Sequence, residues 1–151
     1  MSRLILLDAG PLGLVTNPKP DPAAERCRAW LARMVHRVVV PEIADYEVRR
    51  ELLRARRLGG IGRLDRLVAR PRGYLPITTA VMHRAAALWA DARSSGRQTA
   101  DDRVLDGDII LAAQALLLAE EGFEVIVATA NVGHLARFVT ASLWESIDAT
   151  A

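Results

Sequence analysis

The chain has 151 residues, 51% of them hydrophobic, enough for one filled core and too few for two comfortable domains. Its formal charge is only +2, yet Lys19 is the sole lysine among twenty basic residues, so arginine supplies nearly all the positive charge. Planar guanidinium groups can hold phosphate oxygens two at a time, which is compatible with a nucleic-acid partner, although an arginine-biased genome would leave the same composition. Cys27 has no intrachain partner for a disulfide, and the opening apolar run meets Asp8 too early for a signal peptide. A cytoplasmic protein without membrane insertion is expected.

In chain order, Leu4 to Leu7 is continuously apolar and reads as a short buried strand, closed by Asp8 and followed at once by the turn signal Gly10-Pro11. A proline-rich loop then leads to a helix with Asp21 as N-cap and Pro22 as first residue. Val38-Val39-Val40 is the next strand, stopped by Pro41. From Ile43 to about Arg57 the apolar positions Ala44, Val48, Leu52 and Ala55 form one helical stripe with Glu47 and Glu51 on the adjoining ridge, and Gly59-Gly60 is expected to end that helix. A short second helix carries Ile61, Leu64, Leu67 and Val68.

Tyr74 to Ile77 reads as a strand or extended connector, and 79–93 as an alanine-rich helix. The polar stretch from Ser94 to Asp106 is expected to be a loop, followed by a buried helix from about Asp108 to Glu120. Val125 to Ala128 is a strand, Asn131 to Phe138 a short turn or helix, and Ser142 to Trp144 an edge segment. Alternating strands and helices imply an α/β chain, a central and mainly parallel sheet covered on both faces. A single domain over 1–148 with a short tail at 149–151 is expected.

Ligands of such sheets gather outside the carboxyl ends of the strands. Asp8 sits at one such end, Asn131 follows another, and Asp108 opens a helix that can point to the same rim. Several carboxylates around one spot repel one another unless a hard cation neutralises them, and magnesium or manganese takes oxygen ligands of this kind. Singly, each residue has an ordinary alternative: Asp8 and Asp108 as caps, Asn131 as a turn former. Glu47, being mid-helix, is harder to explain as a cap.

Four segments together carry a resemblance: Leu6-Leu7-Asp8-Ala9-Gly10-Pro11-Leu12, Ile43-Ala44-Asp45-Tyr46-Glu47-Val48-Arg49-Arg50-Glu51, Leu105-Asp106-Gly107-Asp108-Ile109-Ile110-Leu111-Ala112-Ala113 and Ala128-Thr129-Ala130-Asn131. In order and spacing the chain resembles PIN-domain proteins of the VapC-like toxin ribonuclease family over nearly its whole length. The resemblance implies a three-layer α/β/α fold, a metal site formed by Asp8, Glu47 and Asp108, and Asn131 in the place of a fourth polar, often acidic residue. It implies magnesium-dependent hydrolysis of RNA phosphodiesters without a covalent intermediate, manganese being the alternative ion. It further implies a homodimer and inhibition by a cognate antitoxin. Ala9, where a hydroxyl residue often stands, and the uncharged Asn131 depart from the pattern and keep alive a catalytically weak nucleic-acid-binding or regulatory module.

Asp102 and Asp106 are secondary candidates for an outer contact to the metal's water shell, weighed against a solvated acidic loop with Asp106 as helix cap. Arg49, Arg50 and Arg54 are expected to line an approach for RNA phosphate, against the alternative of a solvated helix face. His36, His83 and His134 show no ligand spacing and are assigned surface or packing roles. A phosphoryl-accepting receiver module also gathers aspartates at a sheet rim. It gives Glu47 no part and would lack a lysine other than Lys19.

Overall fold

A computed structural model of the protein describes residues 2–94 and 102–151, the side chains of 102–105 lying outside that description. Five strands form one sheet: β1 (Arg3–Leu7), β2 (Arg37–Pro41), β3 (Tyr74–Leu75), β4 (Glu124–Thr129) and β5 (Ala141–Leu143). Their order is β3-β2-β1-β4-β5 and every pairing is parallel. The alternating strand-helix reading thus holds, the expected connector at 74–77 contributing only the two residues of β3. Six helices cover the sheet: α1 (Ala9–Thr16), α2 (Pro22–Arg33), α3 (Glu42–Arg54), α4 (Leu58–Val68), α5 (Thr79–Ser94) and α6 (Asp102–Glu120).

β1 is central, and its side chains alternate between the two faces as a period of two requires. Ile5 and Leu7 join one cluster with Leu12 of α1, Trp30 of α2, Ala44, Val48 and Leu52 of α3, and Leu64 of α4. Leu4 and Leu6 join the opposite cluster with Leu111 and Ala115 of α6 and with Val39 and Val127 of the neighbouring strands. All four residues are at most 1% exposed, which is why the run is apolar without interruption. α5 lies outside α6, Val81 and Ala85 packing on Ile109 and Ala113. No helix among the described residues is long and apolar enough to cross a membrane.

Three expectations need correction. Gly10-Pro11 does not interrupt the chain after Asp8: both lie in the first turn of α1, where a proline deprives the helix of no internal hydrogen bond. Gly59-Gly60 does not end α3. That helix stops at Arg54, where the Arg56 N–H donates to the Leu53 carbonyl and the Arg57 N–H to the Leu52 carbonyl, while Arg56 takes a left-handed φ of 56°. This is a Schellman cap with arginine in the position glycine usually fills. Gly60 instead lies inside α4, because a Cβ there would come within 2.6 Å of Leu52 Cδ2 and 3.2 Å of the Thr16 carbonyl. Its role is close helix packing. Finally, α6 begins at Asp102 rather than Asp108. Asp106 is therefore helix interior and no cap.

The last residues are tied into the fold. Ala149 is 5% exposed, its carbonyl accepts from the Val35 N–H at 2.8 Å, and the Trp30 indole donates to the Ile147 carbonyl at 2.9 Å. The expected boundary at 148 thus falls inside packed structure.

Candidate active site at the switch point of the sheet

From β1 the chain proceeds one way to β2 and β3, while β4 and β5 lie on the other side, so the crevice between the carboxyl ends of β1 and β4 is the topological switch point. Leu7 pairs with Ala128, and the Asp8 N–H continues the ladder to the Ala128 carbonyl at 2.9 Å. Asp8 is the N-cap of α1: its Oδ1 accepts from the Ala9 N–H at 2.8 Å, and its Oδ2 accepts from the Thr129 hydroxyl at 2.7 Å. The ordinary capping role and a place at the rim therefore coexist in one carboxylate. Both oxygens are oriented by donors from separate strands' ends.

Glu47 projects from the middle of α3, and its carboxyl lies against α6 at Gly107. A Cβ on Gly107 would stand 3.2 Å from Glu47 Oε1. The absence of a side chain at that position is what lets the carboxylate approach α6, one residue before Asp108. Burial raises the pKa of Glu47; the nearby Asp8 raises it further, Arg50 offsets part of this, and Asp108 adds a smaller increment. Burial likewise raises the pKa of Asp108, with Asp8 adding to it and His134 opposing. Three carboxyl groups from segments roughly forty to a hundred residues apart thus feel one another at half-buried positions.

The remaining predicted residues are placed differently. Asn131 is exposed; its side-chain Oδ1 accepts from the Gly133 N–H at 3.0 Å, and its own N–H donates to the Thr129 hydroxyl at 3.1 Å. It shapes the loop that holds Thr129 onto Asp8. Asp106 is exposed and lines an apolar cleft of ≈ 460 Å³ between α5 and α6 with Met82, Trp89 and Ile109. The Asp102 side chain lies outside the described residues. Arg49 is clamped by Asp45 at 2.9 Å and Asp65 at 2.8 Å, and Arg54 by Glu51 at 2.6 Å. Arg50 is exposed, its guanidinium 5.1 Å from the centre of the Tyr46 ring.

Thr129, Gly107 and His134 were not picked out as site residues by sequence. A threonine ending a strand and a glycine between two aspartates carry no signal until the partner segment is known. His134 shows itself through its opposition to the raised pKa of Asp108.

Oxygen donors of one sign, partly withdrawn from water, with Asp8 raising the pKa of both Glu47 and Asp108, suit a hard dication in kind. They do not yet form a closed cage: among the described residues no three His, Cys, Asp or Glu side chains are gathered tightly enough to hold an ion in this conformation.

The family model for the PIN domain matches residues 5–137, which takes in Asp8, Glu47, Asp108 and the Thr129 that holds Asp8. The chain belongs to the PIN domain family. No curated protein matches this PIN chain. Solved structures with the same fold include FitAcB from Neisseria gonorrhoeae, at 22% identity and a TM-score of 0.68 over 95% of this chain and 99% of that one. VapBC2 from Rickettsia felis, bound to a DNA fragment from its promoter, gives 14% and 0.66 over 93% and 98%. VapBC-1 from nontypeable Haemophilus influenzae gives 17% and 0.65 over 95% and 99%. At these identities the likeness establishes the shared PIN fold.

Proposed function

We propose that this PIN chain is a metal-dependent endoribonuclease that hydrolyses RNA phosphodiester bonds, with Asp8, Glu47 and Asp108 holding magnesium or manganese. The observation that carries the reading is the mutual electrostatic influence of these three carboxyl groups at the switch point of the sheet. PIN domains are generally nucleases, which supports the reaction class.

A divalent ion held there would supply Lewis acidity toward a phosphoryl oxygen and lower the pKa of water at neutral pH. The chain's own part is positioning. Asp8 is fixed by its hydrogen bonds to the Ala9 N–H and the Thr129 hydroxyl, so its lone pairs face the crevice in a set direction. Glu47 and Asp108, half-buried and with pKa values raised by burial and by Asp8, are the groups most relieved by a positive charge. Exposed Arg50 stands within electrostatic reach of Glu47 and would steady an approaching phosphate. Asn131 brings no charge to the set, so three carboxylates carry the site.

The structural neighbours are FitAB and VapBC complexes, three of them with DNA. That supports a toxin role with a cognate antitoxin partner, and a homodimer of this chain belongs to the same reading. The test is magnesium-dependent cleavage of mixed cellular RNA by the wild type beside Asp8→Asn and Asp108→Asn. Cutting by the wild type alone is expected. Equal cutting by all three defeats the assigned site, and no cutting by any folded form leaves a nucleic-acid-binding module in its place.

A further inference from the structure

A second charged feature lies at the far end of α1 from Asp8. Arg63, Arg66 and Arg70 follow one another at spacings of three and four from α4 into its C-terminal turn, so they share one face. With Arg28 of α2 they line a cleft of ≈ 690 Å³ to which Val15 and Leu31 add apolar surface. No acidic side chain among the described residues lines it. None of the four arginines takes part in a salt bridge among the described residues; the acid of that helix, Asp65, is drawn off to Arg49 on another side.

Arg28 and Arg63 are held in place from below. Their Nη1 groups donate to the same acceptor, the Asn17 carbonyl at the C-cap of α1, at 3.2 and 3.1 Å. Each guanidinium has five N–H donors, so this anchoring leaves most of the fork available. Four like charges converging without a counter-charge repel one another, and an anion relieves that repulsion. The cleft has the wrong sign for the divalent ion and the right one for phosphate.

We infer that this arginine cleft binds the sugar-phosphate backbone of single-stranded RNA outside the cleavage site. The inference rests on the nuclease reading for the identity of the strand. Val15 lines the cleft and Asp8 caps the same helix, seven residues earlier, a separation of about 10 Å at 1.5 Å rise per residue. That is roughly three nucleotides of a stacked strand at about 3.4 Å each. A strand held by its phosphates in the cleft therefore reaches the carboxylate rim without a long detour. The apolar lining suits ribose and base surface between the charged contacts. An acidic polypeptide is the competing occupant, and a direct binding comparison with polyglutamate separates the two.

The experiment uses the full chain with Asp8→Asn, so that RNA is bound and left uncut, and a short fluorescein-labelled oligouridylate as probe. Arg66 and Arg70 are exposed and carry no anchoring hydrogen bond among the described residues, so Arg66→Ala/Arg70→Ala keeps the fold. Expected are affinity loss of about ten-fold or more and a salt dependence shallower by roughly 1.4 in log-log slope for two lost phosphate contacts. Arg66→Lys/Arg70→Lys should restore most of the slope. With Asp8 retained, cleavage of the oligomer by the alanine pair should lose through KM, while bis(p-nitrophenyl) phosphate, too short to span, is cut at the wild-type rate. Unchanged binding and salt slope in the alanine pair overturn the cleft and leave the nuclease reading standing. Conversely, a wild type that cuts neither substrate while binding still depends on Arg66 and Arg70 removes the nuclease and keeps the cleft. Tighter binding of polyglutamate than of oligouridylate also overturns the RNA assignment.

Discussion

Gly107 and Glu47 meet across two helices, the place of a glycine Cβ lying 3.2 Å from Glu47 Oε1. In an exposed helix interior, replacing glycine by alanine stabilises by roughly 1 kcal/mol through helix propensity. Here the added methyl group pushes a half-buried carboxylate aside by a few tenths of an ångström. Gly107→Ala is therefore expected to change the melting temperature little while lowering metal-dependent cleavage about ten-fold or more, because ligand placement tolerates little displacement. Thermal melts beside single-turnover cleavage separate the two. Full activity in a folded Gly107→Ala protein would show that this contact does not position Glu47.

The raised pKa values of Glu47 and Asp108 make a statement about stability without metal. Each carboxyl binds more protons in the native than in the unfolded chain between its ordinary value, about 4, and its raised one. Its contribution is fully present below the unfolded value and is lost as pH rises through the folded value. Near neutral pH both groups then work against the fold. Because they are only half-buried and solvent screens them, the effect of Glu47→Gln is expected to be at most about 1 kcal/mol, or about 2–4 °C in Tm for a chain of this size. In chelator at pH 7 the variant should melt above the wild type, and the gap should close toward pH 4. Millimolar magnesium should raise the wild type and leave the variant behind. A variant less stable than wild type at pH 7 in chelator would contradict the assigned repulsion.

Thr129 links two parts of the rim. Its hydroxyl, 1% exposed, donates to Asp8 and accepts from the Asn131 N–H. Thr129→Val keeps the volume and removes both bonds, leaving a half-buried carboxylate oxygen and the Asn131 N–H short of a partner at a cost of about 1 kcal/mol or more. Thr129→Ser should recover most of it. Urea denaturation of the two variants measures this, and equal stability of valine and serine forms would mean that the hydroxyl contributes nothing.

Much of the fold was legible because burial on both faces leaves continuous apolar strands: Leu4 to Leu7 and Val125 to Ala128 stand where expected. Asp8 and Asp108 stood out as candidates because a charge next to such a run is conspicuous, and Glu47 because a mid-helix acid is not a cap. What misled were local signals overruled by their surroundings. Gly10-Pro11 reads as a stop yet is compatible with a first helical turn, and Gly60 reads as a break yet serves packing against Leu52. Arg56 ends α3 in a conformation its residue type does not advertise. Thr129 and the arginine cleft depend on pairings between segments tens of residues apart, which no local pattern encodes. Asp106 illustrates the reverse case: it lies two residues from Asp108, but helical geometry turns it toward the α5 groove.

The arginines on α3 divide by partner rather than by sequence position. Arg49 makes bidentate contact with Asp45, through Nε at 3.2 Å and Nη2 at 2.9 Å, and bridges to Asp65 of α4 through Nη1. A guanidinium so engaged has little left for phosphate, and Arg49→Ala is expected to act on stability, by about 1 kcal/mol, since the pairs are partly solvated. Arg50 is free of salt bridges among the described residues and sits beside the carboxylate rim. Arg50→Ala should leave the melting temperature within about 1–2 °C of wild type, as a surface change does, and weaken RNA binding several-fold at low salt. Urea melts and fluorescence titration with RNA in parallel decide between them. Reversed behaviour, with Arg49→Ala losing RNA at unchanged stability, would mean that the Asp45 and Asp65 pairs open when substrate arrives.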